Sequence, residues 1–523
     1  MSTSELGPGG ILYNGIRLPD LPNRDPEAIR EGEAMPVPYL DSPPDVIPID
    51  VGRQLFVDDF LVADTTLRRT FHKAEYWEGN PVLKPEKRWE FSSRRPTAMA
   101  FSDGIFYDLE EKLFRMWYRA GSTTCIATSQ DGMDWERPEL GLMPGTNIVC
   151  LSGSRDSSTI WPDPKCDDPE ARYKMFVFHR DPWKASIYLS PDGYDWRFKG
   201  WTGTAGDRST MFYNPFRKVW VYSIRDHIRR VPGPSKYPDN PLCRARRYRE
   251  CTDFVEGSTW EEGEAGWWVG ADRLDARHPE APEIRPELYN LDAVAYESLM
   301  LGLFSVWQYQ PTDRPKINEV QFGFSRDGLH WDRPCREPIM AVSEGRADWN
   351  WGNLQSAGGC CLVVEDRLFF YVSGRNYGEG EERKETMSMG LAFMRRDGFA
   401  SMDAGAAGGT LTTRPVRFSG SHLYVNADAG DGELRVEALD EGGATISPFV
   451  VDNCIPIRAD ETRKVVSWKG VEDLSPLAGR PVRFRFHLTH GRLFAFWVSP
   501  ERSGASNGFV AAGGPGFGGS RDA

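Results

Sequence analysis

A seven-residue pattern, Ser-x-Asp-Gly-x-x-Trp, occurs three times in the chain, and it restricts the fold more than any other feature of the sequence. The copies begin at Ser129, Ser190 and Ser325, and each follows a short run of residues that favour β-strands. Asp accepts hydrogen bonds from nearby backbone in a tight turn, Gly supplies a positive φ, and Trp packs back on the sheet. The pattern therefore predicts a strand followed by a tight turn at three equivalent places.

Two weaker copies extend this repeat. Asp253 is followed by Trp260 after an insertion, and Asp397-Gly398-Phe399 carries Phe where the other copies carry Trp. The Asp residues of the five copies, at positions 131, 192, 253, 327 and 397, recur at intervals slightly longer than a four-stranded blade of a β-propeller. The repeat therefore predicts five blades.

Length and composition agree with a chain built from short strands. The 523 residues are too many for one ordinary domain and favour two or three. Aromatic residues make up 12%, and 52 Gly and 38 Pro favour tight turns over long helices. We predict an all-β protein, a five-bladed β-propeller followed by a C-terminal β-sandwich.

Changes in composition and in the pattern of apolar residues along the chain predict four regions. Residues 1–48 are rich in Pro and acidic residues and form an extended arm with one short helix over 27–33, and residues 49–402 form the propeller. Within it, the polar stretch 226–290 is either a lid or a disordered insertion. Alternating apolar and polar residues predict the sandwich over 403–502, and the Gly-rich residues 503–523 are expected to be disordered.

Several classes of protein are disfavoured. A net charge of −13 argues against a nucleic-acid or anionic-membrane partner, and no run of 18 apolar residues predicts a membrane span. The start lacks the features of a secretory signal, so a cytoplasmic protein is expected. Nine Cys do not form a disulfide framework, and no Cys or His spacing indicates zinc. We expect no metal and no cofactor, and formation of a homo-oligomer is left open.

Ionisable residues near the predicted innermost strands are the candidates for function, because those strands converge at a propeller axis. The acidic and aromatic candidates are Glu90, Asp156, Asp207, Asp292, Glu297, Asp348, Trp349 and Trp351. Arginines recur at the ends of the second strands, at Arg119, Arg180, Arg225 and Arg375. Converging carboxylates flanked by Trp suit cleavage of a glycosidic bond, because one carboxyl protonates the leaving oxygen while another acts as nucleophile or base. Each Asp could equally cap its strand, and each Arg could be its structural partner.

The blade layout, the turn repeats and the sandwich resemble the five-bladed β-propeller glycosidases of glycoside hydrolase families 32, 43, 68 and 130. The stretch from Leu423-Tyr-Val-Asn to Glu433-Leu-Arg-Val-Glu is similar to the appended sandwich of family 32, and Asn80-Pro-Val-Leu with Trp89-Glu90 resembles the start of family 130 proteins. The resemblance covers about residues 50–500 as architecture. The chain departs from it in blade one, where Arg94-Arg95 stand near the expected Asp.

The resemblance implies an acidic triad, in which Asp207 is base or nucleophile, Asp156 orients, and Glu297 is the proton donor. The expected function is a glycoside hydrolase, or a glycosyl-transferring relative, acting on a small oligosaccharide or a furanoside such as a fructan or arabinan fragment. One alternative is a non-catalytic carbohydrate-binding propeller. Another is a phosphorylase, because the arginines could bind inorganic phosphate. A sialidase also uses an arginine cluster, but its Asp-box has one more residue between Asp and Gly.

Overall fold

The structure, a computed structural model, describes residues 10–93, 95–140, 142–153, 155–229, 242–377 and 385–523. Strands dominate these residues, and the predicted all-β class is confirmed. The helices among them are short: α1 spans Pro26–Glu31, α2 spans Pro38–Asp41 and α3 spans Phe254–Ser258. Single 3₁₀ turns span Arg88–Phe91, Pro169–Ala171 and Ser475–Leu477.

The N-terminal arm runs along the propeller from residue 10. Its α1 forms where a short helix was predicted, because Asp25 Oδ1 accepts from the backbone N–H of Glu27 at 3.0 Å and Gly32, at φ +78°, ends the helix. The backbone N–H of Arg24 donates to the carbonyl of Trp267 at 2.8 Å, which holds the arm on the third blade. Five strands follow: β1 (Ile47–Pro48), β2 (Gln54–Leu55), β3 (Val62–Thr65), β4 (Arg68–Phe71) and β5 (Glu75–Tyr76).

Five antiparallel sheets form the blades. The first contains β6 (Ile105–Asp108), β7 (Leu113–Ala120), β8 (Thr123–Ser129) and β9 (Ile148–Cys150). The second contains β10 (Arg155–Pro162), β11 (Tyr173–His179), β12 (Lys184–Ser190) and β13 (Arg197–Thr204). The third contains β14 (Thr210–Asn214), β15 (Val219–Arg229), β16 (Leu242–Cys251) and β17 (Gly266–Gly270). The fourth contains β18 (Glu287–Glu297), β19 (Leu299–Tyr309) and β20 (Ile317–Ser325), and the fifth β21 (Gly352–Ser356), β22 (Leu362–Val364), β23 (Arg367–Tyr377) and β24 (Glu385–Arg395).

The sheets are arranged as a closed ring. Inner strands of consecutive blades lie side by side, β10 with β14, β14 with β18 and β18 with β21. Ser102, just before β6, pairs with Thr159 of the second blade, and the N–H of Ile105 donates to the carbonyl of Gly358 of the fifth at 3.1 Å. The early strand β5 pairs with β24 and so completes the last blade. The predicted five-bladed propeller is confirmed.

The three full copies of the repeat lie directly after the third strands of their blades, β8, β12 and β20, so the predicted strand followed by a tight turn is found at each place. In the first copy, Asp131 Oδ1 accepts from the N–H groups of Met133 and Asp134 at 2.8 and 2.9 Å, while Gly132 has φ +79°. Trp135 Nε1 donates to the carbonyl of Gly132 at 3.2 Å. The same carbonyl accepts from Tyr371 Oη of the fifth blade at 2.6 Å, so the turn also joins neighbouring blades.

The two weaker copies have the same place in their blades but a different structure. Asp253 follows β16 and caps α3, with its Oδ1 accepting from the N–H groups of Val255 and Glu256 at 2.8 Å. Asp397 follows β24 and binds Arg53 Nη1 at 2.8 Å in the interior. Around Asp253, the stretch 226–290 supplies strands and α3 to the third and fourth blades, so the predicted lid or disordered insertion is wrong there. Its residues 230–241 lie outside the described part of the chain.

The sandwich follows the propeller in the chain, and its two sheets also contain the N-terminal strands β2, β3 and β4. Its own strands are β25 (Ala400–Ala404), β26 (Gly409–Thr413), β27 (Val416–Arg417), β28 (His422–Asp428), β29 (Glu433–Leu439), β30 (Asp460–Val465), β31 (Arg483–Thr489) and β32 (Gly491–Ser499). One sheet has the order β30-β28-β32-β25-β4 with β2 also on β32, and the other has the order β29-β31-β26-β3. The boundary predicted at residue 49 is therefore wrong, because residues 54–71 belong to the sandwich, where Phe56 packs on Phe486 and Phe496.

The C-terminal residues 503–523 are ordered, in contrast to the prediction. Strand β33 (Phe509–Val510) pairs with the end of β18, and the ring of Phe509 lies 4.8 Å from that of Phe216. The glycines allow the backbone to approach its neighbours: a Cβ on Gly508 would lie 2.7 Å from the Cα of Gly52. The glycines of this segment therefore allow close packing of the backbone, and Phe509 and Val510 attach the segment to the propeller.

Candidate functional site

Side chains from all five blades meet at one end of the propeller axis, and those of the first four surround the guanidinium of Arg208. Its Cζ lies 3.8 Å from the ring centroid of Phe101 and 5.8 Å from that of Tyr289. Its Nη2 lies 3.9 Å from Asp156 Oδ1. These four residues lie before or within the inner strands of the first four blades. We call this cluster the funnel site, and its members are Phe101, Arg119, Asp156, Arg180, Asp207, Arg208, Arg225, Tyr289, Lys316, Arg375 and Glu385.

The structure brings Asp156 and Asp207 together through a shared arginine. Arg180 donates from Nε and Nη2 to Asp156 Oδ2 at 3.1 and 2.7 Å, and its Nη2 lies 3.5 Å from Asp207 Oδ2. The two aspartate side chains keep 13% and 22% of their exposure. Two carboxylates from neighbouring blades thus share one solvent-accessible space, in the place where the sequence predicted that they would meet.

The charge of Asp156 is fixed by its neighbours. Burial acts to raise its pKa, but the guanidiniums of Arg208, Arg119 and Arg180 outweigh burial and hold the pKa well below the usual value. Arg119 Nη1 lies 3.5 Å from Oδ1, on the other side of the carboxylate from Arg180. Asp156 is therefore ionised at neutral pH and suits an electrostatic or orienting role, and it cannot be a proton donor there.

Asp207 is held by Arg225. Arg225 Nη1 lies 2.5 Å from Asp207 Oδ1, and its Nη2 donates to His227 Nε2 at 2.8 Å. Burial, together with Arg225 and Arg244, lowers the pKa of His227 to about 4, so the imidazole is neutral and can accept this bond. Arg225 is thereby fixed between the carboxylate and the ring, and it fixes Asp207 in turn.

Tyr289 is a functional candidate that the sequence reasoning missed. Lys316 Nζ donates to its phenolic oxygen at 3.0 Å, and the side chain is only 6% exposed. Burial acts to raise the pKa of Tyr289, but Lys316, Arg208 and Arg375 outweigh it and lower the pKa to about 7, against the opposing effect of Asp207. The phenol therefore titrates near neutrality. A tyrosine within a strand of mostly apolar residues gives no signal in the sequence that it will lie among cations.

The fifth blade adds Arg375 and Glu385 to the funnel site. Arg375 Nη1 lies 2.6 Å from Glu385 Oε1, and Arg95 Nε lies 2.9 Å from Glu385 Oε2. Burial is the main cause that lowers the pKa of Arg119 to about 10, and the positive charge of Arg375 lowers this pKa further. The residue preceding Arg95, Arg94, lies outside the described residues.

Asp292 lies on the axis but is covered. Its Oδ2 accepts from Ser102 Oγ at 3.0 Å, Asn290 Nδ2 at 2.7 Å and Ser356 Oγ at 2.6 Å, and the residue is 2% exposed. Burial raises its pKa to about 6 although these donors oppose the shift. In the structure this carboxyl ties the inner strands of three blades together, and its predicted substrate-binding role stays a prediction.

Glu297 does not join the two aspartates, so the predicted triad is wrong in this member. It is the last residue of β18 and is completely buried at the junction with the sandwich. Its oxygens accept from the N–H of Arg53 at 3.1 Å, from Ser506 Oγ at 2.7 Å and from Arg396 Nη2 at 3.0 Å. Asp522 also contacts Arg396, at 3.0 Å. Glu297 is a structural counter-ion that joins strand, sandwich and tail.

Glu90 is also structural. It is buried, and its Oε1 accepts from Tyr118 Oη and Arg137 Nε, both at 2.7 Å. Its Oε2 accepts from the backbone N–H groups of Glu86 and Lys87 at 2.7 and 2.8 Å. Arg137 Nη2 also donates to Oε2, at 3.2 Å, so the two oxygens accept two and three hydrogen bonds from the protein and the predicted substrate-binding role of Glu90 is wrong.

The remaining candidates lie in the segment before β21. Asp348 is exposed and accepts a hydrogen bond from Ser343 Oγ. Trp349 packs edge-on against Tyr76, 5.6 Å between centroids, on the outer side of the fifth blade. Trp351 packs against Tyr377 and is 7% exposed. The predicted stacking of Trp349 and Trp351 on sugar at the axis is therefore not supported by their packing.

A second concave surface lies between β5 and the turn that follows β8. This side groove has a volume of about 410 Å³ and is lined by Trp77 and Trp135, with polar residues that include Lys84 and Gln130. Arg137, the partner of Glu90, also lines it. None of its lining residues belongs to the funnel site.

Within the described residues, no three or more His, Cys, Asp or Glu side chains are grouped so as to hold a metal ion. No helix in the same ranges is long and apolar enough to cross a membrane.

No family model matches the sequence, and no curated protein matches it. Among solved structures, the chain is similar to an exo-β-1,3-galactanase from Phanerochaete chrysosporium with galactose, at 11% identity and a TM-score of 0.35, over 82% of this chain and 99% of that one. It is also similar to a β-fructofuranosidase from Schwanniomyces occidentalis complexed with fructosyl-erythritol, at 11% identity and a TM-score of 0.34. That similarity covers 82% of this chain and 96% of the other. A third similarity is to an endo-arabinase from Bacteroides thetaiotaomicron, at 11% identity and a TM-score of 0.35. It covers 56% of this chain and 94% of the other. The five-bladed architecture of this chain rests on its own strand order, independently of these similarities.

Proposed function

We propose that the protein is a glycoside hydrolase that cleaves an O-glycosidic bond of a small oligosaccharide or furanoside in the funnel site. The observation that carries the proposal is the convergence of Asp156 and Asp207 from neighbouring blades on Arg180, beside the titrating phenol of Tyr289. Cleavage of a glycosidic bond needs a carboxylate that acts as base or nucleophile and a group that protonates the leaving oxygen. The funnel site offers both kinds of group.

Asp207 is assigned the role of base or nucleophile. It is the more exposed of the two aspartates, and among the described residues the hydrogen-bond contact of its Oδ2 is the 3.5 Å one to Arg180, so this oxygen is available to substrate or water. Asp156 is held by Arg119 and Arg180 on opposite oxygens and is assigned an orienting and electrostatic role. Its negative charge would stabilise the positive charge that develops on the sugar ring in the transition state.

Tyr289 is assigned the role of proton donor, in place of Glu297. At pH 7 about half of its phenol is protonated and below pH 7 most of it is, so a pKa of about 7 suits general acid catalysis near neutrality. When the proton leaves, the phenolate is stabilised by the ammonium of Lys316 at 3.0 Å. The surrounding cations thus make this phenol a stronger acid than an ordinary tyrosine.

A panel of aryl glycosides and oligosaccharides, read for released sugar, tests the proposal. Asp207→Asn is expected to lower kcat by roughly 10²–10⁴-fold on any substrate that the wild type cleaves. Asp195→Asn, an identical change at a side chain that is 67% exposed and outside the funnel site, is the matched control and should leave kcat unchanged. Normal turnover by folded Asp207→Asn would remove Asp207 from the mechanism.

The side groove favours one alternative, a non-catalytic carbohydrate-binding propeller. Two indoles, Trp77 and Trp135, line it together with polar side chains, a combination suited to stacking on sugar rings. In that case sugars would bind without release of product from any member of the panel. Trp135→Ala would then lower affinity, while Asp207→Asn would not.

A phosphorylase remains the second alternative, favoured by the arginines of the funnel site. Turnover would then require inorganic phosphate and yield a sugar phosphate. Cleavage at an undiminished rate in phosphate-free buffer would exclude it.

A further inference from the structure

Positive charge is concentrated in the funnel site of a chain that is negative overall. The whole protein carries a net charge of −13. In the funnel site the cationic side chains outnumber the carboxylates: the cations are Arg119, Arg180, Arg208, Arg225, Lys316 and Arg375, and the carboxylates are Asp156, Asp207 and Glu385. A concave site lined by one sign of charge attracts ligands of the other sign.

Arg208 is the cation that its protein neighbours satisfy least. The residue is 5% exposed, and its Nε and Nη1 have no hydrogen-bond partner among the described residues. Its nearest carboxylate oxygen, Asp156 Oδ1, is 3.9 Å from Nη2, beyond hydrogen-bond length. By contrast, buried Arg155 donates from Nη2 to both oxygens of Asp103, at 2.8 and 2.9 Å. A buried guanidinium without its acceptors costs stability unless a ligand supplies them.

The surroundings of Arg208 hold its guanidinium in place towards the axis. The ring of Phe101 lies under it at 3.8 Å, and its own backbone carbonyl accepts from Arg246 Nη1. Arg246 is fully buried and donates also to the carbonyl of Tyr289, at 2.8 Å, and within the described ranges none of its hydrogen bonds goes to a carboxylate. The guanidinium of Arg246 therefore adds positive potential next to the backbone of Arg208 and Tyr289.

From this arrangement we infer that the funnel site binds a substrate that carries an oxyanion, and that the substrate is an acidic sugar whose carboxylate pairs with Arg208. The inference rests on the proposed function and specifies its substrate class. A guanidinium fork matches the two oxygens of a carboxylate in geometry and charge. The cations of the funnel site would attract a phosphate dianion as well, while Asp156 and Asp207 would repel it more strongly than a singly charged carboxylate. A sugar acid also carries the ring that the proposed function requires, so it is the ligand of this inference, and tighter binding of inorganic phosphate is the competing outcome of the test.

Isothermal titration calorimetry at constant ionic strength tests the inference without requiring turnover. The ligands are D-glucuronate and D-galacturonate, their neutral counterparts D-glucose and D-galactose, and inorganic phosphate alone. At least one sugar acid is expected to bind about tenfold more tightly than its neutral counterpart, and more tightly than phosphate. A tenfold difference corresponds to about 1.4 kcal/mol.

Two variants connect this preference to Arg208. Arg208→Met is expected to abolish the preference for the sugar acid while leaving the affinity for the neutral sugar unchanged. Because Arg208 is buried and this variant could fail to fold, Arg119→Gln provides a second, partly exposed site and should reduce the preference. Arg197→Met, on the outermost strand β13 and 52% exposed at its side chain, is the matched control and should bind like the wild type.

The outcomes separate the inference from the proposed function. Equal or absent binding of acidic and neutral sugars, or an unchanged preference in the folded variants, overturns the inference even if neutral glycosides are hydrolysed. Tighter binding of phosphate alone overturns it in favour of a phosphate-dependent enzyme. A preference for the sugar acid that depends on Arg208, without hydrolysis of any uronide, supports the inference and counts against the hydrolase.

Discussion

Lys316 and Tyr289 form a hydrogen bond between the segment before β20 and the inner strand β18. The ammonium donates to the phenolic oxygen at 3.0 Å, and Nζ lies 4.8 Å from the ring centroid. Arg208 and Arg244 lie 5.8 and 5.5 Å from the same centroid. A buried phenol ordinarily has a raised pKa, so these cations, with Arg375, reverse the direction of the shift.

The first prediction concerns the titration of this phenol. The near-ultraviolet absorbance of phenolate should rise with a midpoint near pH 7, and Tyr289→Phe should remove that step. Lys316→Gln should move the midpoint upward, because the neutral amide no longer stabilises the phenolate. A wild-type protein whose tyrosines all titrate near their ordinary pKa of 10.0 or higher would contradict the electrostatic description of the funnel site.

The same shift predicts how stability depends on pH. The pKa of Tyr289 is about 7 when folded and 10.0 ordinarily, so the folded state releases its proton first. Ionisation of Tyr289 therefore stabilises the folded state fully above pH 10. This stabilisation decreases as the pH falls from 10 to 7, and it is lost as the pH falls through 7. Urea unfolding of the wild type and Tyr289→Phe should show a difference that grows above pH 7, by at most about 1.4 kcal/mol per pH unit. A difference independent of pH would contradict this assignment.

A separate prediction concerns Glu297, which lies between Arg53 and Arg396. Glu297→Gln removes a buried counter-ion and should lower the free energy of unfolding by about 3 kcal/mol. Its folded fraction should keep kcat within about twofold of the wild type, because a purely structural loss leaves transition-state binding intact. Glu461→Gln, at an exposed Glu, is the control and should change stability by no more than about 0.5 kcal/mol. Loss of kcat in stable Glu297→Gln would restore the acidic triad.

Glu297 and Tyr289 show why the site was only partly predictable. Both lie on β18, whose eleven residues are all buried, so the pattern of apolar and polar residues does not indicate which end faces the axis opening. Glu297 lies eight positions after Tyr289, which at about 3.3 Å per residue separates their backbones by roughly 26 Å. One end of the strand therefore lies in the funnel site and the other at the sandwich. The sequence predicted the wrong end.

The turns were predictable because their chemistry is local. Ser129, Asp131 and Gly132 satisfy one another within a few residues, through bonds such as that from the N–H of Gly132 to Ser129 Oγ at 2.9 Å. The titration of Tyr289 depends instead on cations supplied by the third, fourth and fifth blades. No short window of sequence contains that combination, so it became visible only in three dimensions.

The turns provide a matched pair of glycine substitutions. Gly193 and Gly145 both have positive φ, +81° and +74°, so Ala at either position should cost about 1–2 kcal/mol for backbone conformation. A Cβ on Gly193 would also lie 2.7 Å from Trp117 Cζ2, whereas one on Gly145 would meet open space. Gly193→Ala should therefore lose a further 1–3 kcal/mol, roughly, through overpacking between blades. Equal losses in chemical denaturation would show that the turn does not join the blades.

The C-terminal tail is expected to stabilise the propeller, although its composition is typical of a disordered segment. Deletion of residues 503–523 removes β33 and exposes the end of β18, and it also removes Asp522 from Arg396 and Ser506 from Glu297. The single change Phe509→Ala should cost about 3–5 kcal/mol, because this ring is 4% exposed. Phe198→Ala, at a ring that is 51% exposed on β13, is the matched control and should cost much less. If protease removes the tail from the native protein without lowering its unfolding midpoint, then the pairing of β33 with β18 does not support the fold.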